Sequence, residues 1–200
     1  MVGAALAQKP SARQRSQAVL EVSDPRAERT REQISAAFAQ MVMRRAYAQI
    51  RVSDITRKAH VGRATFYAHF ASKDALLAAE LRRITQQMIR PMHGQAGLAD
   101  CTGLFAHLLH ARDIYRSLMG GASRVVTERI VQDAIEERMA ELLRQARAKA
   151  GVDADDLGFV PRFVASTVLA LMAWALEHQI APSPAVLQAQ FQRLVEPACA

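Results

Sequence analysis

Arg63, Thr65, Tyr67 and His69 fall within seven residues of one another, and Lys73 follows closely. All can donate hydrogen bonds, and together they suit an anionic polymer better than a reaction centre. An arginine can donate in a bidentate way to guanine or to a phosphate. Threonine and tyrosine hydroxyls donate to phosphate oxygens. Lys73 stands at the start of a helix, where its ammonium and the helix N-terminus both attract phosphate. Arg51 and Arg57 lie near the edges of the same segment, and Ala64 and Ala68 share its outward surface.

No nucleophile–base constellation accompanies these donors. The chain has no GxSxG, HExxH, P-loop or GxGxxG pattern. His93, Cys101, His107 and His110 are metal-ligand types, and His107 and His110 can share a helix face. The spacing of the set matches no compact zinc motif. Asp153, Asp155 and Asp156 lack the glycine and terminal glutamate of a calcium loop. The expectation is no enzyme, no cofactor and no metal.

The charge distribution supports a polyanion partner. Residues 1–90 carry 16 Lys and Arg against 7 Asp and Glu, whereas residues 91–200 carry 10 against 12. The basic excess is confined to the segment that holds the donors.

The elements that must position those donors are helices. Ala, Leu, Arg, Gln and Glu are abundant, and glycine and proline are few. Residues 1–24 have weak periodicity and read as a flexible arm carrying Lys9, Arg13 and Arg15. A first helix begins at Asp24-Pro25, or at Thr30 with Gln33 three residues on. Ile34, Ala37, Phe38 and Met41 form its apolar face. A connection from Tyr47 to Arg51 precedes a short helix, Val52 to Ala59, with Val52, Ile55 and Ala59 inward. His60-Val61-Gly62 is a tight turn. Arg63 to Phe70 is a second short helix, with Phe66, Tyr67 and Phe70 as its bulky residues. Ser72 caps a long helix from Lys73 to Met92.

Pro91, Gly94 and Gly97 mark a break. Further helices are expected at Leu98–His110, Arg112–Met119, Ser123–Ala150, Pro161–His178 and Pro184–Val195. The apolar stripe of Ser123–Ala150 is Val126, Ile130, Ala134, Met139, Leu142 and Leu143. Its Glu136, Glu137, Arg138, Glu141 and Arg144 read as an exposed, salt-bridged face. Gly151 ends that helix, and residues 152–158 form an acidic loop. No strand-like alternation or repeat is evident. The predicted class is all-α with about nine helices: a three-helix unit at 25–78 and a larger helical bundle at 79–200.

Two short helices joined by a three-residue turn, behind a longer helix, form a trihelical unit that places its last helix in the DNA major groove. The run Asp54-Ile55, Ala59-His60-Val61, Ala64-Thr65-Phe66-Tyr67-Ala68-His69-Phe70 and Ser72-Lys73-Asp74-Ala75-Leu76-Leu77 resembles the TetR/AcrR family of one-component regulators. The likeness extends back through Ile34, Ala36-Ala37-Phe38 and Tyr47, and covers about residues 30–77. This chain departs from the family pattern at Ala46, Ile50-Arg51, His60 and Gly62. The family's usual glycine is replaced at Ala46 and His60, and its usual serine or threonine cap at Gly62. These changes leave the scaffold and bear on which operator is read.

The resemblance implies a cytoplasmic regulator, usually a repressor. It also implies a double-stranded DNA operator, a homodimer and a small-molecule effector as partners. Phe163 to Leu176 is an apolar run of about 14 residues containing Ser166 and Thr167. A membrane span needs ~20, so it reads as a buried helix with no membrane partner. An early apolar stretch without a basic leader is not a signal peptide, and two cysteines, Cys101 and Cys199, fit a reducing setting.

A helix apolar nearly all round must be buried on two sides, and the resemblance assigns one side to a partner subunit. The expected interface residues are Val168, Leu171, Trp174, Ala175, Leu187, Phe191 and Leu194. The expected effector linings are Met88, Met92, Phe105, Leu109, Tyr115, Met119, Phe163 and Met172. A helical enzyme or carrier would explain neither the donors nor the charge split. An architectural DNA binder would not need about 110 residues of C-terminal helix.

Overall fold

The computed structural model describes residues 24–92, 99–118, 121–151, 153, 157–177 and 182–199. The expected arm lies outside them except for Asp24, as do Gly94, Gly97, Met119, His178 and most of the acidic loop. Nine α-helices stand in chain order among the described residues: α1 Pro25–Val42, α2 Val52–Lys58, α3 Arg63–His69, α4 Lys73–Met88, α5 Thr102–His110, α6 Arg112–Leu118, α7 Arg124–Lys149, α8 Val160–Glu177 and α9 Pro184–Cys199.

The first choice of cap for α1 holds. The Asp24 carboxylate accepts the Arg26 N–H at 2.9 Å, and Pro25 takes the first helical position. Thr30 sits inside the helix, its hydroxyl donating to the Arg26 carbonyl. Ile34, Ala37, Phe38 and Met41 are all buried.

Helix α4 stops at Met88, four residues short of expectation. Pro91 cannot donate a helical hydrogen bond and pushes Arg90 out of the helical region. The chain instead forms a short antiparallel pair, β1 Arg90–Pro91 with β2 Ala99–Asp100. Sequence alternation over two residues carries no signal, so this pair was not anticipated. Gln188 of α9 closes its far side. It accepts the Cys101 N–H at 2.9 Å and donates to the Ala99 carbonyl at 3.0 Å. Helix α5 therefore begins at Thr102 rather than Leu98. Its first N–H donates to the Asp100 carboxylate. Gly103 lets α5 pass close to α4, because a Cβ there would lie 3.0 Å from the Met88 carbonyl oxygen.

The buried side of α7 is Thr127, Val131, Ala134, Ile135, Met139, Leu142 and Leu143. Val126 was expected on that side but is 46% exposed. The stripe starts one residue later than the pattern suggested, because Thr127 is buried with its hydroxyl held by backbone carbonyls, including those of Ser123 and Leu118. The charged face of α7 also differs from expectation. Arg138 turns inward and donates twice to the Ile89 carbonyl at the end of α4, as well as to Glu141. Glu137 pairs with Arg82 of α4, and Glu136 with Arg162 of α8. The charges keep an exposed, salt-bridged side at Glu137 and Glu141 and also tie α7 to its neighbours.

Helix α8 packs on α7, α9, α5 and α6. It is 18 residues long with mean hydropathy 1.3, long and apolar enough to cross a membrane by composition alone. Its Val164, Ala165, Val168, Met172, Ala175 and Leu176 are buried against the neighbouring helices. One of its last carbonyls is satisfied from α6, where Arg112 and Arg116 both donate to the Leu176 oxygen. Helix α9 runs four residues past the expected Val195, to Cys199.

One hydrophobic core runs from Ile34 to Val195. Helix α4 joins its two parts. Near its start, Lys73 holds the carbonyls of Tyr47 and Ile50. Near its end, Thr85 reaches the Ala134 carbonyl of α7. The expected division at 78/79 falls inside this helix.

Candidate nucleic-acid interface

The α2–turn–α3 unit is built from short-range chemistry. The Arg51 N–H donates to the Asp54 carboxylate at 3.2 Å, which satisfies one of the free donors at the start of α2. At its other end, Val61 N–H donates to the Thr56 carbonyl and His60 N–H to the Arg57 carbonyl. That is the paired closure in which the residue after the cap turns left-handed, usually glycine. Here His60 takes that place at φ 53°, and among the described residues it is the only non-glycine with positive φ. The sequence anticipated the position and its cost. Gly62 then starts α3 with no side-chain cap.

Phe66 and Phe70 fix α3 against the core, together with Ile55 of α2. Arg31 of α1 lies over the Phe70 ring at 5.0 Å, a cation–π contact that nothing in the sequence flagged. The opposite face of α3 is open. Arg63, Ala64, Thr65 and Ala68 are exposed, and Tyr67 is 49% exposed. The Tyr67 ring stands edge-on against Phe66 at 5.4 Å, so its hydroxyl is presented on a supported ring. His69 is only half-buried, its ring beside that of Phe70. Arg51 and Arg57 are exposed on α2, with Arg57 3.8 Å from Asp54.

Lys73 differs from the free cation the sequence suggested. Two of its three N–H donors are engaged by the Tyr47 and Ile50 carbonyls at 2.8 and 3.0 Å. Its ammonium lies 3.9 Å from the centre of the Tyr47 ring. Burial pulls its pKa below the ordinary lysine value, with Asp74 opposing. The Tyr47 hydroxyl donates to Asp74. Burial, then that bond, raises the phenol far above its usual range. Tyr47, Lys73 and Asp74 thus knot the 47–51 connection to the start of α4 and set where Arg51 stands. Sequence reasoning had used Tyr47 and Asp74 only as marks of family likeness.

The C-terminal candidates are placed unevenly. Val168, Ala175, Leu187 and Phe191 are fully buried inside this protomer and have no surface left for a partner. Their burial follows from α8 and α9 packing on each other and on α5 and α7. Leu171 is half-buried, whereas Trp174 and Leu194 are 41% and 51% exposed. Among the effector candidates, Phe105, Tyr115 and Met172 are core residues. Met88, Met92, Leu109 and Phe163 are partly buried against that core, and Met119 lies outside the described residues. A concavity between α7 and the start of α8 has a different, charged lining that includes Asp133, Glu136, Arg144 and Arg162.

Cys101 is fully buried and its thiol is pushed up by burial. His107 stands edge-on to Tyr115 at 5.9 Å. Among the described residues no three His, Cys, Asp or Glu side chains come together as metal ligands.

A supported reading helix in a basic trihelical unit, carried on a larger helical bundle, is the architecture of a DNA-binding regulator. The comparisons agree. Residues 34–79 match the family described as "Bacterial regulatory proteins, tetR family", and residues 100–197 match "Transcriptional regulator C-terminal region". The regulator TcmR of Streptomyces glaucescens is 27% identical over 158 residues, 72% of this chain and 70% of that protein. The uncharacterized regulator YxbF of Bacillus subtilis is 43% identical over 67 residues, a match spanning 18% of its length. The full-length TetR regulator TylP of Streptomyces fradiae shares the fold, with TM-score 0.53 and 18% identity over 88% of each chain. This chain belongs to the TetR family of transcriptional regulators. Its members are DNA-binding proteins, not enzymes.

Proposed function

We propose that this chain is a cytoplasmic homodimeric repressor that holds a near-palindromic operator and releases it when a small molecule binds the C-terminal bundle. The observation that carries the reading is the open face of α3, with Arg63, Thr65 and Tyr67 presented on a helix clamped by Phe66 and Phe70. Arg63 would read a base edge or grip a phosphate, and Ala64 would allow close approach to the groove. Thr65, Tyr67 and His69 would hold phosphate oxygens. Arg51, Arg57 and the remaining N–H of Lys73 would fix the register.

Leu171, Trp174 and Leu194 support a partner surface on α8 and α9, because they leave apolar area exposed on these two helices, which pack on each other. A two-fold dimer would set two copies of α3 about one DNA turn apart, ~34 Å, or a multiple. Met88, Met92, Leu109 and Phe163 mark where an apolar effector would enter between α4 and the later helices. A tenfold loss of operator affinity on binding it corresponds to about 1.4 kcal/mol of coupling. In this reading residues 1–24 are an arm, 25–78 bind DNA, and 79–200 dimerise and sense.

The test is selection of bound duplexes from a random pool, followed by affinity measurements on the selected site. Arg63→Ala and Tyr67→Ala should each weaken binding at least tenfold while the oligomeric state stays unchanged. Wild-type affinity in both variants would sink the assignment of α3.

A further inference from the structure

A second cluster of cations lies away from the reading helix. The end of α1 and the outer side of α2 enclose a hollow of about 250 Å³, lined by Gln40, Met41, Arg44, Arg45, Asp54, Arg57 and Lys58. Four of these seven are cations, and all four are exposed. The one carboxylate, Asp54, already accepts the Arg51 N–H and lies beside Arg57. Among the described residues, Arg44, Arg45 and Lys58 have no ion-pair partner. Elsewhere Arg82, Arg83, Arg124 and Arg162 each have a carboxylate partner. Four like charges around one concave site repel one another and concentrate anions.

The position of the hollow selects the anion. Helix α2 is the first helix of the unit, the one that crosses the DNA backbone. Arg51 stands at its beginning, and Arg57 and Lys58 at its end. At ~1.5 Å per residue, Arg57 and Lys58 stand about 10 Å further along α2 than Arg51, while Asp54 joins the near side of the hollow to the Arg51 N–H. The hollow therefore adjoins the contact assigned to Arg51 and reaches beyond it along α2.

We propose that this hollow binds the phosphodiester backbone of the DNA flanking each half-site. The inference rests on the operator reading given above. Arg44 and Arg45 supply the contact from the turn after α1, and Arg57 and Lys58 from α2. The contact carries no base information. It lengthens the footprint and adds affinity that depends on salt and on duplex length.

The experiment uses the full chain and the selected operator on two duplexes. One ends at the outer edges of the half-sites, and the other extends about ten base pairs beyond each. The variant is Arg44→Gln with Arg45→Gln. On the long duplex its affinity should fall at least tenfold, and its salt slope should drop by about 1 for each phosphate lost. On the short duplex variant and wild type should agree within twofold. Discrimination against a mutated half-site should not change on either. Arg44→Lys with Arg45→Lys should keep most of the wild-type affinity, which excludes a loss through misfolding.

Equal affinity of wild type and glutamine variant on both duplexes would overturn the proposal. So would equal losses on both. Saturable binding of inorganic pyrophosphate to the DNA-free protein, lost in the glutamine variant and without a length effect on DNA, would assign the hollow to a free anion and also overturn it. Failure of the operator reading looks different. In that case wild type prefers no sequence, and Arg63→Ala changes nothing on either duplex.

Discussion

The N-terminal unit and the C-terminal bundle are made from the same helical material but encode their surfaces differently. In α2 and α3 each residue has one role that its type reveals. Phe66 and Phe70 are buried, Arg63 and Thr65 are open, and a left-handed residue joins the helices. In α8 and α9 apolar residues lie on nearly every side. Identical types serve the protomer's own core at Val168 and Leu187 and remain exposed at Leu194. Residue type marks a surface where function needs polar groups on a short helix. It fails where both possible neighbours are apolar.

The sharpest way to separate the two is to remove the exposed apolar pair. Trp174→Ala with Leu194→Ala should leave the protomer folded, since both side chains already face outward. If they form the partner surface, the dimer dissociation constant should rise by about 30-fold or more, corresponding to ~2 kcal/mol. Sedimentation at a series of concentrations reads this directly. Phe191→Ala is the contrasting variant. It should cost about 3–5 kcal/mol of stability through a cavity in the protomer's own core. A dimer unaffected by the outward pair would move the partner surface to another face.

What the sequence made legible follows the same division. The helix boundaries of the N-terminal unit were readable because Asp24-Pro25, Ser72 and the His60 turn are local signals acting within a few residues. The exposed face of α3 was readable because Phe66 and Phe70 declare the opposite one. The β1–β2 pair was not, since it depends on Gln188, nearly ninety residues away. The inward turn of Arg138 was not, since its partner is a carbonyl on another helix. Lys73 was misjudged for the same reason. A lysine at a helix start looks free until Tyr47 and Ile50 fold back onto it. Val168 and Phe191 were read as interface because periodicity in an all-round apolar helix does not say which neighbour covers which side.

The support beneath the reading surface gives the next effect. Tyr47→Phe keeps the ring under Lys73 but removes the hydroxyl that donates to Asp74. A hydrogen bond to a charged partner is worth about 1.5–3 kcal/mol. Chemical denaturation should show that loss, and operator affinity should fall with it because the Arg51 connection loosens. Unchanged stability would mean that Lys73 alone holds the connection. The His60 turn should move in the opposite direction. At φ 53° a glycine avoids the steric cost that histidine bears. His60→Gly should raise stability by up to about 1 kcal/mol, less the extra entropy of a glycine in the unfolded chain. A fall instead would show that the imidazole makes a compensating contact.

The smallest effect belongs to the bundle and tests whether its stability responds to pH. Burial first, then His110 and Arg83, holds the His107 pKa below its ordinary value of 6.5. The folded state therefore binds fewer protons than the unfolded chain in this range. Its stabilising contribution is present above the unfolded pKa. It is lost as pH falls below that value toward the folded pKa. Wild type should lose stability between pH 7.5 and 5.5. His107→Gln should lose less, because glutamine cannot take up a proton and still fits beside Tyr115. The effect is shallow, since His107 is only half-buried, so urea midpoints at both pH values are needed. If both proteins lose the same amount, protonation of His107 does not contribute, and the acid sensitivity must arise from another group.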